Sequence, residues 1–303
     1  MVSNDEEPEY AARDYLCYSL LAQLDAEQNE GRSIVRTQFL KLTCIADRIL
    51  EEDHGRDVEL PRYWYQYGEI LNETPLNSST YNVSQASWSD QARVVSPAPG
   101  ITPDAFDVDP PEKEDIDHVV SHVARKFAND DSESIKDYQY EQYAPTTFIK
   151  TFDEFREFIG NQESQNTSLS DFGENTIPAS EDEAKEKLDD LLGAYPEEQY
   201  STMYKLFLRW EDTTRLLLDH EDFDQVETLL EDFWETFSQV ELRHHHEQHT
   251  PNNQKLHWQS EQDDLVTGFR SKLSEVRDEV LLQRETSGVL DSMTETGFPE
   301  EYS

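Results

Sequence analysis

FDQVETLLEDFWETFSQV, residues 223–240, is a helix written in plain periodicity. Phe223, Val226, Leu230, Phe233, Phe237 and Val240 recur three and four residues apart, and Leu229 and Trp234 widen the same seam. At 3.6 residues per turn these positions share one side, while Asp, Glu, Gln and Thr take the other. A strand would alternate every second residue, and this stretch does not. The result is one broad apolar face, rich in rings, that must be covered.

The covering partners lie on both sides of it. Downstream, Val266, Phe269, Leu273, Val276 and Val280 repeat the pattern. Upstream, Pro196 opens a helix with the stripe Tyr200, Met203, Tyr204, Phe207, Trp210 and Leu217. Before that, Ser180-x-x-Glu183 has the form of a capping box, leading into Ala184, Leu188, Leu191 and Tyr195. Four such seams are satisfied by an antiparallel helical bundle. Helices are also predicted over 113–129, through Ile116, Val119, Val120, Val123 and Phe127, and over 151–160, through Phe152, Phe155, Phe158 and Ile159. Residues 161–178 read as a polar loop.

The N-terminal part is organised differently. Residues 9–28 predict an amphipathic helix, and Ser33 is placed as the N-cap of a second one running to Leu50, ended by His54-Gly55. Val58–Gly68 is an aromatic run punctuated by Pro61 and Gly68, read as an ordered loop before a short helix at 69–72. Ser, Asn, Thr and Pro dominate 74–111, with one short strand predicted at 92–95. The expected fold is mainly α. A small N-terminal helical domain of winged-helix-like kind spans 1–96, with an excursion over 75–96. A Pro-rich linker follows at 97–111, a helical bundle at 112–290 and a flexible acidic tail at 291–303.

Composition describes the solvent more than the chemistry. Sixty-six Asp and Glu oppose 25 Lys and Arg, a formal net charge of −41 over 303 residues. The acidity runs through the whole chain, with −9, −18 and −14 in successive thirds. Such a surface repels itself in dilute buffer, where the Debye length is about 10 Å, and is screened in molar salt, where it is roughly 3 Å. An acidic halophilic protein is the expectation. Aromatic residues, at 11%, replace the core volume that scarce aliphatics do not supply. Cys17 and Cys44 fall within apolar helical patterns, which predicts buried free thiols in a reducing interior. The opening residues carry no basic segment followed by an apolar one, and apolar runs are short. A cytoplasmic location with no membrane contact is expected.

Three constellations could carry function. Tyr63, Trp64, Tyr65 and Tyr67 are expected to be exposed rings of the loop, suited to a protein partner because aromatics bury much area at small entropic cost. The basic residues Arg32, Arg36, Lys41 and Arg48 admit a reading as a DNA-contacting regulator using the 33–50 helix. The strongly anionic field and the nearby acids Asp47, Glu51, Asp57 and Glu59 weigh against it. Glu241, His245 and His249 would line up on one helix face and could hold a catalytic metal. The plainer account is a solvated helix end just before Pro251, since the zincin order is absent. His118 and His122 form a second four-apart pair with the same plain account. No phosphate-cradling GxxxxGK, GxSxG elbow or paired CxxC occurs, and no cofactor is expected.

Phe39-Leu40-Lys41-Leu42-Thr43-Cys44-Ile45-Ala46-Asp47-Arg48, then Gly55-Arg56, Tyr63-Trp64-Tyr65 and Tyr67-Gly68, resemble the opening of the Panacea (SocA-like, antitoxin-associated) domain. Glu69 stands where that pattern usually has proline, and the similar stretch covers about thirty residues. The resemblance implies a small helical domain that binds another protein, for example in neutralising a toxin, rather than a catalyst. The acidic composition is similar to that of haloarchaeal proteins. Taken together, these readings predict a non-enzymatic, antitoxin-like or regulatory protein acting through protein–protein contact. Self-association through the C-terminal helices is a further expectation.

Overall fold

The computed structural model describes residues 11–29, 32–76, 80–168 and 181–295. In chain order its elements are α1 (Ala12–Glu27), β1 (Ile34–Val35), α2 (Arg36–His54), β2 (Arg62–Tyr65), β3 (Gly68–Leu71), β4 (Tyr81–Gln85) and β5 (Arg93–Pro97). Then come α3 (Pro110–Phe127), α4 (Ser132–Tyr143), α5 (Thr147–Ser168), α6 (Glu181–Ala194), α7 (Tyr204–Leu218) and α8 (Phe223–Phe237). A π-helical turn, Ser238–Leu242, leads into the single turn α9 (Arg243–His245), the short β6 (Glu247–Gln248) and α10 (Asn252–Glu295). The protein is mainly helical with two small three-stranded sheets among the described residues, ordered β1-β5-β4 and β3-β2-β6. No helix among them is long and apolar enough to cross a membrane.

The chain forms two compact units. The first comprises Met1–Pro145 with Leu242–Trp258, the second Thr146–Glu241 with Gln259–Ser303.

In the first unit α2 is the central helix, packed by α1, α3, α4, β3 and β5. Its side chains Phe39, Leu42, Cys44, Ile45, Ala46 and Leu50 have no exposed surface. The helix stops where Gly55 adopts φ 62°, so that its N–H and that of Arg56 return to the carbonyls of Glu51 and Leu50. Ser33 does not cap its start: the N-cap is Val35, because Ile34 and Val35 are spent as β1 on Val95 and Val94. The predicted strand at 92–95 exists as β5, paired with β4 as an antiparallel hairpin. The predicted loop at 58–68 and short helix at 69–72 are instead the hairpin β2–β3, which pairs Trp64 with Glu69 and Tyr65 with Gly68.

The expected boundary at 97–111 differs from this division. Phe106 is buried there against Tyr15 and Tyr18, and α3 lies along α1 instead of joining the later helices. Helix α4 has no counterpart among the expected elements. Asp131 caps it by accepting from the Ser134 N–H at 2.8 Å.

In the second unit α5 packs on α6 and α8, α6 on α7, and α7 on α8. Their seams meet in a lattice of rings. Phe152 stacks on Trp234 at 4.4 Å between centroids, Tyr195 on Phe207 at 4.3 Å, and Trp210 on Phe233 at 4.7 Å. The Trp210 indole N–H is satisfied by the Leu229 carbonyl at 3.1 Å. Phe269 of α10 meets Phe233 at 5.9 Å. The predicted polar loop at 161–178 is helical as far as Ser168, and α7 begins at Tyr204 after turns, not at Pro196. The expected capping box at Ser180 and most of the expected tail lie outside the described residues.

Candidate functional site

The β2–β3 hairpin brings the densest set of charged side chains in the first unit onto α2. Strand alternation puts Arg62 and Trp64 on one face of β2, and the register puts Leu71 and Glu69 beside them on β3. On α2, Lys41 and Arg48 are two turns apart, while Asp47 and Glu51 are one turn apart, so both pairs reach the same covering hairpin.

Arg62, only 1% exposed, is the hub. Its Nε donates to Asp47 Oδ2 at 2.6 Å, its Nη1 to Glu69 Oε1 at 2.7 Å, and its Nη2 to Glu51 Oε2 at 2.6 Å. Arg48 clamps the same Glu69 through Nε and Nη2, at 2.6 and 2.9 Å, and lies 5.0 Å over the Tyr143 ring. Lys41 donates to the Tyr67 carbonyl and, at 3.1 Å, to Gln139 Oε1. The Gln139 amide in turn donates to the Glu69 carbonyl at 3.0 Å. Two arginines thus pair with three carboxylates, and the buried Lys41 ammonium ties the adjoining turn to Gln139 of α4.

Two buried polar atoms in this region have no hydrogen-bond partner: Asp47 Oδ1 and the Trp64 indole nitrogen. The Asp47 pKa is raised to about 7, because loss of hydration outweighs the attraction of Arg62, while Glu51 and Glu69 add repulsion. Burial pulls Arg62 the other way, but Glu69, Asp47 and Glu51 together hold it well above its usual value. His246 accepts the Trp64 backbone N–H on its main-chain carbonyl at 3.1 Å, and its imidazole is pushed down to about 4 by burial and by His245. The centre of the lattice is enclosed, with Asp47 and Glu69 at most 2% exposed, while Arg48 and Glu51 reach the surface. Its evident chemical effect is mechanical, fastening the hairpin to the helix.

The turn this lattice supports is Gln66-Tyr67-Gly68. Gly68 adopts φ 102°, and a Cβ there would lie 2.5 Å from Gln139 Oε1 and 3.1 Å from Lys41 Nζ. Glycine is required twice over, by conformation and by space. The Tyr140 hydroxyl donates to the Gln66 carbonyl at 3.0 Å. Tyr67 stands at the tip with 52% of its surface exposed.

The expected row of four exposed rings is therefore corrected. Trp64 is fully buried, edge-on to Tyr140 at 5.5 Å, since alternation turns it toward α2. Tyr63 and Tyr65 are half-buried on the opposite face, where Tyr63 meets Trp258 at 5.1 Å. Tyr67 alone of the four is exposed.

The four cations of the DNA-contacting reading are spread apart and engaged. Lys41 and Arg48 are in the lattice, Arg36 pairs with Glu73, and Arg32 donates to the Asn129 carbonyl at 2.7 Å. The 33–50 helix is the covered centre of its unit and has no open face for a groove.

The Glu241, His245 and His249 alignment is also corrected. The helix ends at His245, and β6 with a turn at His249 (φ 51°) follows, so the one-face register fails. Glu241 belongs to the second unit, where it is buried and accepts the Met203 N–H at 2.8 Å. His249 pairs with Asp57 at 3.1 Å. His118 and His122 are exposed, and His118 lies 5.9 Å from the His54 ring.

Sequence reasoning missed Arg62, Glu69 and Gln139 as a set. Glu69 in the usual place of a proline was the available signal. Compared with family models, with curated proteins and with solved structures, the chain has no match.

Proposed function

We propose that the protein acts by binding another protein, in an antitoxin-like or regulatory role, with Tyr67 at the tip of the β2–β3 hairpin as its anchor. The observation that carries this reading is the rigid mounting of an exposed ring. The carbonyl of Tyr67 is held by a buried ammonium, its neighbour Gln66 by Tyr140, and the strands by the pairing of Arg48 and Arg62 with Asp47, Glu51 and Glu69. A ring carried on a backbone already fixed in place loses little main-chain entropy on docking. The residues of the Panacea resemblance support it, since Lys41 bonds the Tyr67-Gly68 turn while Asp47 and Arg48 hold the strands of the hairpin that carries it. The partner would offer an apolar pocket with a basic rim, matching a chain of net charge −41. We further read the carboxylate coat as an adaptation to molar salt in a cytoplasm. Retention of a compact form at millimolar ionic strength would reject that part.

The test compares wild type, Tyr67→Phe and Tyr67→Ala as baits in molar KCl, with bound proteins quantified by mass spectrometry. A partner should be retained by wild type and the Phe variant and fall at least about tenfold with Ala, at unchanged melting temperature. Equal recovery by all three baits would refute the assignment.

A further inference from the structure

The longest uncharged run in this highly charged chain is Thr74–Ser89, sixteen residues without Asp, Glu, Lys, Arg or His. At 30% charged residues about five would be expected there. The run contains β4, an edge strand of the β1-β5-β4 sheet. Asn82, Val83, Ser84 and Gln85 are all exposed, Val83 to 47%, and Trp88 at the hairpin tip to 59%. Edge strands are ordinarily blunted by charge, proline or a cover. Among the described residues β4 itself carries no charge, no proline and no strand on its outer side.

Its outward backbone groups follow from the ladder. Ala98 N–H donates to the Thr80 carbonyl and Ala86 N–H to the Ala92 carbonyl, at 3.3 and 3.0 Å. Hydrogen-bonded pairs alternate in an antiparallel ladder, so Asn82 and Ser84 also face β5. The N–H and C=O groups of Tyr81, Val83 and Gln85 therefore point away from the sheet.

We propose that β4 pairs antiparallel with β4 of a second copy of this chain across a two-fold axis centred on Val83. Val83 then exchanges both hydrogen bonds with its symmetry mate, and Tyr81 exchanges both with Gln85 of the other copy. Two three-stranded sheets become one of six, and the open edge disappears. The charge pattern selects a second copy as the occupant. Two chains of −41 meet without juxtaposing like charges only where neither presents any, and this strip is self-complementary. A basic partner would be drawn to the acidic surface instead. Association strengthens with salt, as repulsion between the remaining surfaces is screened.

Sedimentation equilibrium of the full chain in about 2 M KCl at about 100 μM tests this. Twice the chain mass of 35.3 kDa is expected. Val83→Pro removes one outward donor and no bond within the sheet, and Val83→Lys places like charges at the axis. Both variants should sediment as monomers with wild-type circular dichroism; if the proline variant misfolds, the lysine variant decides. A monomeric wild type overturns the proposal, whether or not it binds other proteins, as does a dimer that survives Val83→Lys. The Tyr67 variants leave β4 intact, so this reading and the partner-binding one fail independently.

Discussion

Replacing Asp47 by asparagine should reverse the usual expectation for a buried ion pair as pH rises. In the folded protein the Asp47 pKa is about 7, against 3.8 for the free side chain, because burial costs more than Arg62 returns. A raised carboxylate pKa means that the folded state holds a proton the unfolded chain has released. Stability from this group is therefore full below pH 3.8 and declines as pH rises, levelling off above about 7. At about 1.4 kcal/mol per pH unit, ionising Asp47 costs the folded state about 4 kcal/mol in all, more than half of it between pH 5 and 8. The amide of the Asp47→Asn variant has no proton to lose, and Arg62 keeps Glu69 and Glu51. His246, held near pKa 4 by burial, acts in the opposite direction below pH 6.5, so only the difference between the two proteins isolates Asp47. Urea denaturation of both in molar KCl at pH 5 and pH 8 measures that difference. Wild type should lose about 2–3 kcal/mol relative to Asp47→Asn over that interval. A flat difference, or a gain by wild type, would show that Arg62 wins over desolvation and that the lattice is held by an ionised Asp47.

Gly68→Ala should cost roughly 2–4 kcal/mol, since it forces a left-handed φ on an L residue and displaces Gln139. Thermal melting measures it, and an unchanged midpoint would mean that the turn relaxes freely. Phe152→Ala empties the centre of the ring lattice in the second unit, and about 3–5 kcal/mol should be lost together with the near-ultraviolet dichroism of the Phe152–Trp234 stack. A loss under about 1 kcal/mol would mean that the neighbouring rings collapse into the space. Cys17 and Cys44 are 1% and 0% exposed, and burial drives both thiols to higher pKa. Neither should react with a disulfide reagent until urea unfolds the chain, whereupon both titrate. Prompt native reaction of either thiol would contradict the packing around α1 and α2.

The ring seam of residues 223–240 was legible because helical periodicity is a local property. Each turn repeats the same environment, and Phe233 or Phe237 announces its burial through its neighbours three and four away. The same logic located α1, α2, α3 and α10 and the aromatic replacement of an aliphatic core. Helix α4 escaped because the residues it buries include Lys136, Gln139 and Tyr140, whose polarity conceals the stripe. The hairpin escaped because RYWYQYGEIL carries rings on both faces and sets the charged Arg62 and Glu69 on the buried one, so no apolar–polar alternation marks it, and its other neighbour, β6, arrives from far later in the chain.

What the linear order of residues determined by itself was the helical class, the acidic composition and the buried thiols. Which rings of residues 63–68 face outward, and which of the many carboxylates are interior, was decided only by tertiary structure. Burial of Asp47 and Glu69 depends on Arg62 arriving from another element, and a side chain's hydration is set by what packs over it, not by its sequence neighbours.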